Sequence, residues 1–511
     1  MSPIELAIFV SRVESICQEM GVVLRQAAFS PNIKDRLDFS CALFDASGEL
    51  FSQAAHIPVH LGSMAYAMRD IVTGVDWQVG DILALNDPFL GGTHLPDVTL
   101  VSPFFIDDEL LGFIANRAHH ANIGASSPGS MPISTTLEEE GMIIPPTLLV
   151  QAGSVVVKEM EKLGGLQGAD VSGDFAAQMS ANRVGVDRLS KLVRKMGTGR
   201  FANGINEINA YGERLAKAGL KSIPKGRYVF SDLMDDDGYG TQDVKINVTI
   251  DIEDDRIKVD FEGTSPQVKG NINCPLSVAA AAVFYCFRCL LPENTPACAG
   301  VFRFIDLHAP VGSLVNATRP AATAAGNVET SMRIVDAVLG ALSAAIPDRI
   351  PAASQGTMNN VAMGNHKSNQ PWDYYETIAG GSGANAGSAG ASAVQSHMTN
   401  TLNTPIESLE MHYPLRIRSY TIRRGSGGKG RYRGGDGLIR EFEFLEPAEV
   451  TLITERRRHA PWPLDGGNHG ETGKNSLDGK ALPGKCHIYV KAGQVLKVET
   501  PGGGGFGRSL F

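Results

Sequence analysis

The chain has 511 residues, of which 43% are apolar and 20% charged, and its formal net charge is −9. A chain of this length is too long for one ordinary hydrophobic core, which predicts two to four closely packed domains. The composition excludes a disordered chain and a protein that binds nucleic acid by its positive charge. No run approaches the roughly 18–20 apolar residues of a membrane helix, no basic region of a secretory signal precedes the first helix, and seven cysteines are too few for a disulfide framework, so we expect a cytoplasmic protein.

The first third of the chain alternates helical and strand patterns. Ser2, Pro3 and Glu5 form a capping box with proline at the first helical position, followed by apolar residues at three- and four-residue spacing. Residues 39–44 and 49–53 flank D-A-S-G and predict a hairpin. Residues 58–72 predict a helix, and residues 82–85, 98–105 and 110–116 predict strands, the last two joined by a turn at Asp107–Asp108.

Beyond residue 170 the pattern predicts two more regions. Helices are expected at 175–196, 205–220, 276–291 and 331–346, and strands at 228–232, 244–252 and 257–261. The final hundred residues carry turn signals about every ten positions and predict a β-rich region. The expected fold class is α+β (mixed α/β) and multi-domain, with a metal-binding region at 1–225, a central α/β region at 226–400 and a β-rich region at 401–511.

Chemistry-bearing residues concentrate in residues 86–124. H-L-P-D contains His94 and Asp97, and R-A-H-H-A-N-I-G contains His119 and His120. If the turn lies at Asp107–Asp108, residues that pair across the two strands have numbers that sum to about 215, with a register error of a few residues at most. The two motifs then meet at the end of the hairpin away from the turn.

Two imidazoles and a carboxylate are suitable ligands for Zn²⁺, Mn²⁺ or Fe²⁺. A divalent ion there would act as a Lewis acid or lower the pKa of a water molecule. Asp38, at the start of an earlier strand, is a candidate fourth ligand, although no local pairing places it there. The alternative interpretation is that the histidines only make local hydrogen bonds.

His119 and His120 cannot point the same way along a strand, because neighbouring side chains alternate between faces. One is therefore expected to be a ligand and the other a general base or a group that supports the ligands. Glu140, the last acid of L-E-E-E-G, either lines the site or belongs to a solvated loop.

Other motifs leave alternatives open. Cys286 and Cys289 form C-x-x-C inside a largely apolar run, which favours a buried helix over a zinc or redox site. The glycine-rich residues 425–435 either cradle an anion or connect two strands. Residues 501–507 (P-G-G-G-G-F-G) form either a flexible tail or a close backbone contact. No P-loop motif occurs, and no glycine–serine motif has the spacing of a serine hydrolase.

Six motifs in order along the chain resemble the hydantoinase B/5-oxoprolinase B family, which includes N-methylhydantoinase and caprolactamase β subunits and is related to acetone and acetophenone carboxylase subunits. They are N-D-P-F-L-G-G-T-H-L-P-D-V (86–98), R-A-H-H-A-N-I-G (117–124), S-H-M-T-N-T-L-N-T-P-I-E (396–407), Y-P-L-R-I-R-S-Y (413–420), G-R-Y-R-G-G-D-G-L-I-R (430–440) and P-G-G-G-G-F-G (501–507). The resemblance is specific for the family and not for the substrate.

The resemblance implies an A-type partner of the actin-like ATPase fold, which binds ATP and Mg²⁺ and phosphorylates the carbonyl oxygen of the substrate, in an α2β2 or similar hetero-oligomer. It also implies that His94, Asp97 and His119 hold the metal ion. Two positions depart from the family pattern: Asn122 replaces an aspartate and Ala389 an acidic residue. Because of these two departures, the substrate of the family members is not carried over to this chain.

The leading hypothesis is ATP-dependent hydrolysis of a small cyclic amide, such as a hydantoin, 5-oxoproline or another lactam. The triad would hold Zn²⁺ or Mn²⁺ beside the activated carbonyl, and His120 or Glu140 would move protons. One alternative is the metal subunit of an ATP-dependent ketone carboxylase. A second alternative is a non-catalytic scaffold for the ATPase. None of these hypotheses involves nucleic acid or a membrane.

Overall fold

The computed structural model of the chain describes residues 1–55, 57–164, 169–368 and 370–508. These residues form two compact units. The first comprises Met1–Gly124, Met142–Ser222 and Phe287–Asp306, and the second comprises Ala125–Gly141, Ile223–Cys286 and Leu307–Phe511. Helices and several sheets occur together, so the predicted α+β fold class is confirmed. Within the described ranges, no helix has the length and apolar character to cross a membrane.

The described residues form nine α-helices, labelled α1 to α9 in chain order: Pro3–Ala27, Pro31–Lys34, Pro58–Thr73, Val157–Gly164, Ala169–Met196, Thr198–Leu220, Leu276–Arg288, Ser331–Ser343 and Ile406–His412. The capping box predicted for α1 is present. Ser2 Oγ accepts a hydrogen bond from the backbone N–H of Glu5, and the Glu5 carboxylate accepts one from the N–H of Ser2.

The described strands are labelled β1 to β20 in the same way. Strands β1 to β7 are Phe39–Asp45, Leu50–Ala55, Ile82–Leu85, Asp97–Ile106, Glu109–His119, Thr147–Gln151 and Ser154–Val155. Strands β8 to β20 are Gly226–Asp236, Gln242–Ile252, Ile257–Asp260, Ile305–His308, Asn360–Asn365, Trp372–Thr377, Leu415–Arg423, Gly437–Phe444, Ala448–Ile453, Lys474–Leu477, Lys480–Leu482, Lys485–Val490 and Val495–Glu499.

The first unit is built on a seven-stranded sheet in the order β2-β1-β5-β4-β3-β6-β7. Side chains of β5 alternate between its faces, as the pleat of a strand requires. Phe113 and Ala115 pack into a core with α3, whereas Ile114 and Asn116 contact α5 on the other face. The sheet is therefore covered by helices on both sides, and its central strands are buried.

The second unit contains three sheets. Their orders are β11-β10-β9-β8, β13-β12-β16-β19 and β14-β15-β20-β17-β18. The last two share one apolar core, in which Val361, Phe442, Val450 and Leu496 are fully buried. The predicted β-rich character of the last hundred residues agrees with strands β14 to β20.

The glycine-rich segments of the second unit pack backbone against backbone. A Cβ atom added at Gly434 would lie 2.0 Å from the carbonyl oxygen of Gly503, and one added at Gly503 would lie 2.0 Å from that of Ser382. Backbone hydrogen bonds join the segments, for example from Gly503 N–H to the carbonyl of Gly435 at 2.9 Å. Residues 501–507 are buried, so the close backbone contact is the correct alternative and the flexible tail is wrong.

A cluster of buried charges lies in the second unit around E-R-R-R-H (455–459). Arg456 is 1% exposed and forms ion pairs with Asp232 and Asp336. Glu455 is fully buried and pairs with Lys485 and with Arg333. Arg456 therefore neutralises two buried carboxylates, and the charge of Glu455 is neutralised by basic residues outside the motif.

Candidate metal centre

The β4–β5 hairpin turns at Asp107–Asp108, as predicted, and both residues have the positive φ values of a tight turn. The partners Ile106↔Glu109 and Phe105↔Leu110 sum to 215. A bulge between Phe104 and Phe105 then shifts the register by one residue, so that Val98 lies opposite Ala118 instead of the expected Arg117. Asp97 consequently lies opposite His119.

This pairing brings together a buried triad of His94, Asp97 and His119. Asp97 Oδ1 lies 3.2 Å from His94 Nε2 and 3.2 Å from His119 Nδ1. All three side chains are at most 2% exposed. His94 reaches the same place because the chain turns tightly before β4, where Asp97 N–H donates to the His94 carbonyl at 3.1 Å.

Asp38 joins the triad from a neighbouring strand. Strand β1 pairs antiparallel with β5, and Phe39 lies opposite Ala118. The residue before β1 therefore lies beside His119, whose N–H donates to the Asp38 carbonyl at 3.0 Å. The Asp38 carboxylate Oδ2 is 3.9 Å from His119 Nδ1. This non-local pairing supplies the placement that the hairpin alone could not.

His119 and His120 face opposite sides of the sheet. His119 lies in the triad, whereas His120 lies on the α5 side, where its Nε2 is 2.9 Å from Gln178 Oε1 and its ring contacts that of Phe175 at a tilt of 46°. The predicted alternation is therefore observed, and it makes His119 the histidine of the pair that can bind an ion with His94. A catalytic role for His120 stays a prediction.

The electrostatics favour ligands in the forms that bind a cation. Burial alone would raise the pKa of Asp97, but His94, His60 and the hydrogen bonds to it hold that pKa well below its usual range. Burial lowers the pKa of His119, although Asp97 and Asp38 oppose this effect. An ionised carboxylate beside a neutral imidazole is the combination that divalent metals require.

The spacing of the donor atoms around Asp97 Oδ1 fits a tetrahedrally coordinated ion. Donors at 2.0–2.2 Å from such an ion lie roughly 3.3–3.6 Å apart. The two separations of 3.2 Å measured from Asp97 Oδ1 are close to that range. Two histidines and an aspartate buried against one another match the ligand chemistry of Zn²⁺ and Mn²⁺ sites.

The sequence analysis missed two residues that contact Asp97. His60, on α3, lies with its Nε2 3.3 Å from Asp97 Oδ2, and Thr93 Oγ1 donates to the same oxygen at 2.6 Å. Asp38, His60 and Asp97 also form a second group of potential ligands. Thr93 directly precedes the H-L-P-D motif, so its position in the sequence could have identified it. His60 lies in a predicted helix, and nothing in that pattern indicates a role at the site.

Other residues named from the sequence do not belong to the groups of potential ligands found among the described residues. Glu140 is buried in the second unit, where its carboxylate accepts hydrogen bonds from Ser134 Oγ at 2.7 Å and Thr323 N–H at 2.9 Å. Its catalytic role remains a prediction. Asn122 Oδ1 accepts a local hydrogen bond from Gly124 N–H, and Ala389 is exposed. No cysteine within the described residues forms a disulfide.

Comparison with known proteins decides the family. Residues 2–509 match the Hydantoinase B/oxoprolinase family. The chain belongs to this family. The match covers both units of this hydantoinase B chain, and the triad lies on two of the motifs that carry the family resemblance.

Three proteins, two of them relatives and one a similar fold, match this chain over 99–100% of its length. 5-Oxoprolinase 1 of Arabidopsis thaliana is 38% identical over 99% of this hydantoinase B chain, which spans only 42% of that relative's length. The crystal structure of an ATP-dependent caprolactamase from Pseudomonas jessenii superimposes with a TM-score of 0.93 at 28% identity, covering 100% of this chain and 92% of that one. An acetone carboxylase structure has a TM-score of 0.89 at 17% identity, covering 100% and 76%, which shows the shared fold.

Proposed function

We propose that this chain is the metal-dependent B-type subunit of an ATP-dependent cyclic amide hydrolase that opens a hydantoin, 5-oxoproline or another lactam. The observation that carries the proposal is the buried triad of His94, Asp97 and His119 on a chain of the hydantoinase B/oxoprolinase family. Similarity to a 5-oxoprolinase and to an ATP-dependent caprolactamase supports a hydrolase acting on cyclic amides.

The triad would hold Zn²⁺ or Mn²⁺, with Asp38 as a candidate further ligand. When bound, such an ion supplies Lewis acidity toward a carbonyl oxygen or a water molecule. The chain itself contributes an ionised Asp97, two imidazoles at fixed separations and burial that keeps bulk water from competing. His120 and Glu140 are proposed to move protons during ring opening.

An A-type partner would supply the activation step. An amide is a poor electrophile, and phosphorylation of its oxygen by ATP turns that oxygen into a leaving group. The partner would bind ATP and Mg²⁺ and would assemble with this chain in the cytoplasm as an α2β2 or similar hetero-oligomer. The chain spans about two fifths of 5-oxoprolinase 1, which supports a division of the activity between this part and another.

Reconstitution with an A-type ATPase subunit tests this proposal. We expect ATP consumption that depends on a lactam or hydantoin and on bound metal, and His94→Ala should abolish metal binding and turnover together. Full activity in the metal-free variant would overturn the proposal. ATP consumption with acetone and bicarbonate alone would favour a ketone carboxylase, and a folded wild-type chain that takes up no metal would favour a scaffold for the ATPase.

A further inference from the structure

His60 is a completely buried histidine that contacts the triad from outside it. It lies in the first turn of α3, and its side chain is 0% exposed. One ring nitrogen lies near Asp97 and the other near Ser40, the second residue of β1. The ring therefore bridges α3, β1 and the start of β4, the elements that surround the candidate metal centre.

The two oxygens of Asp97 have different neighbours. Oδ1 faces the imidazoles of His94 and His119, each at 3.2 Å. Oδ2 accepts a hydrogen bond from Thr93 Oγ1 at 2.6 Å and lies 3.3 Å from His60 Nε2. One oxygen is thus presented to the two other ligands, and the second is held by side chains outside the triad.

The same contacts argue against His60 as a ligand. A carboxylate oxygen has two lone-pair directions, and Thr93 and His60 together use both on Oδ2. An ion bound by His60 and Asp97 Oδ2 would have to break the contact between His60 Nε2 and that oxygen and take its place. An ion bound by the triad of His94, Asp97 and His119 leaves the contacts of Oδ2 with Thr93 and His60 in place.

Ser40 can set the tautomer of His60. Its Oγ lies 3.1 Å from His60 Nδ1. If the serine hydroxyl donates to Nδ1, the ring proton lies on Nε2, which then donates to Asp97 Oδ2. A hydrogen bond of this kind orients a metal-binding carboxylate. Because it holds Oδ2 in place, the other oxygen, Oδ1, can no longer rotate away from the ion.

We propose that His60 is a positioning residue that, with Thr93, fixes the Asp97 carboxylate so that Oδ1 points at the ion shared with His94 and His119. The inference rests on the metal centre of the proposed function. His60 itself does not bind the ion. Loss of its hydrogen bond should weaken metal binding without changing which atoms coordinate the metal.

Titration of the metal-free full-length chain with Co²⁺, followed by its visible absorption, tests this role without any assay of turnover. We expect His60→Ala to bind one Co²⁺ about 10–100-fold more weakly than the wild type, the usual effect of losing a hydrogen bond to a metal ligand. The absorption bands should keep their positions and intensities. His60→Gln, whose amide N–H can occupy the place of Nε2, should recover much of the affinity.

Each other outcome has a definite meaning. Unchanged affinity in His60→Ala would overturn the positioning role, whereas a changed spectrum without recovery in His60→Gln would make His60 a ligand. A folded wild-type chain that binds no Co²⁺ would instead overturn the metal centre itself. Should His60→Ala fail to fold, Thr93→Val and His60→Gln take its place in the test. Thr93→Val is also expected to bind Co²⁺ more weakly than the wild type, and an unchanged Co²⁺ affinity in Thr93→Val would count against the proposal.

A matched control is available on the surface. His308 Nδ1 lies 2.8 Å from Asp260 Oδ1 in an exposed histidine–aspartate pair that contributes nothing to the triad. His308→Ala removes the same kind of contact and should leave Co²⁺ affinity unchanged. A comparable loss of affinity in this control would attribute the His60→Ala effect to general destabilisation and so overturn the proposal.

Discussion

His119 and His120 are adjacent in the chain, yet they lie on opposite faces of one sheet. His119 shares Asp97 Oδ1 with His94, whereas His120 contacts Gln178 of α5. The alternation of a strand therefore places one histidine in the candidate metal centre and the other against a helix that packs on the sheet. Identical side chains at neighbouring positions should consequently respond very differently to removal.

The first prediction contrasts His119→Ala with His120→Ala. We expect His119→Ala to lose stoichiometric metal, because it deletes one of the three proposed ligands. His120→Ala should keep its metal but lose roughly 2–3 kcal/mol of stability, because it leaves a cavity beside Phe175 and an unpaired Gln178. Metal analysis and denaturant unfolding of both variants check this, and a folded His120→Ala chain without metal would contradict it.

The second prediction concerns Asp38, whose carboxylate lies farther from His119 than that of Asp97 does. Its Oδ2 lies 3.9 Å from His119 Nδ1, compared with 3.2 Å for Asp97 Oδ1. Asp38→Asn should therefore weaken metal binding less than Asp97→Asn does. Competition with a chelator of known affinity measures both losses. An equal or larger loss in Asp38→Asn would make Asp38 the principal carboxylate.

The parts of the site that the sequence predicted are those set by local geometry. The turn at Asp107–Asp108 fixes the hairpin, and the hairpin brings His94, Asp97 and His119 to one end. The bulge at Phe104 was not predictable, because an extra residue in a strand leaves no clear trace in an alternating apolar pattern. The bulge shifts the pairing of β4 with β5 by one residue.

The parts of the site that local geometry could not place depend on contacts between distant segments. Asp38 reaches the triad through the pairing of β1 with β5, and His60 through the packing of α3 on the sheet. Strands β12 and β13 also escaped prediction, since they are short and the pairing of β12 with β16 joins residues almost a hundred positions apart. The predicted domain boundaries near residues 225 and 400 stay predictions.

The third prediction tests the backbone packing of the glycine-rich segments. Gly434→Ala should destabilise the second unit by at least ~2 kcal/mol, because the new methyl group would lie 2.0 Å from a backbone oxygen that cannot move alone. Gly387→Ala is the matched control, since its nearest neighbour would be 3.6 Å away, and it should change stability by less than about 0.5 kcal/mol. Equal denaturant midpoints for the two variants would refute the packing argument.

The fourth prediction concerns Glu329, a fully buried acid in the π-helical turn Gly326–Thr330 that precedes α8. Its Oε1 accepts hydrogen bonds from Thr357 Oγ1 and Asn360 Nδ2, whereas Oε2 has no hydrogen-bond partner within the described residues. Burial and the nearby Glu455 raise the pKa of Glu329 to about 8, although Lys485 opposes the shift. We therefore expect the folded chain to keep this proton at neutral pH.

The sign of the pH dependence follows from the raised pKa of Glu329. Between its ordinary pKa of 4.5 and about 8, the folded state holds a proton that the unfolded chain has released, so the free energy of unfolding falls as pH rises. The slope is on the order of 1.4 kcal/mol per pH unit for one proton. Glu329→Gln, which is neutral at every pH, should remove this component and be more stable than the wild type above pH 8.

Denaturant midpoints of wild type and Glu329→Gln between pH 5 and 9 measure the effect, with the metal chelated so that its ligands do not contribute. The difference between the two curves should grow with pH and level off above about 8. Glu138→Gln, at an exposed acid, is the control and should run parallel to the wild type. A Glu329→Gln curve parallel to the wild type would mean that Glu329 is already ionised when folded, with its charge neutralised by Lys485 and Arg457.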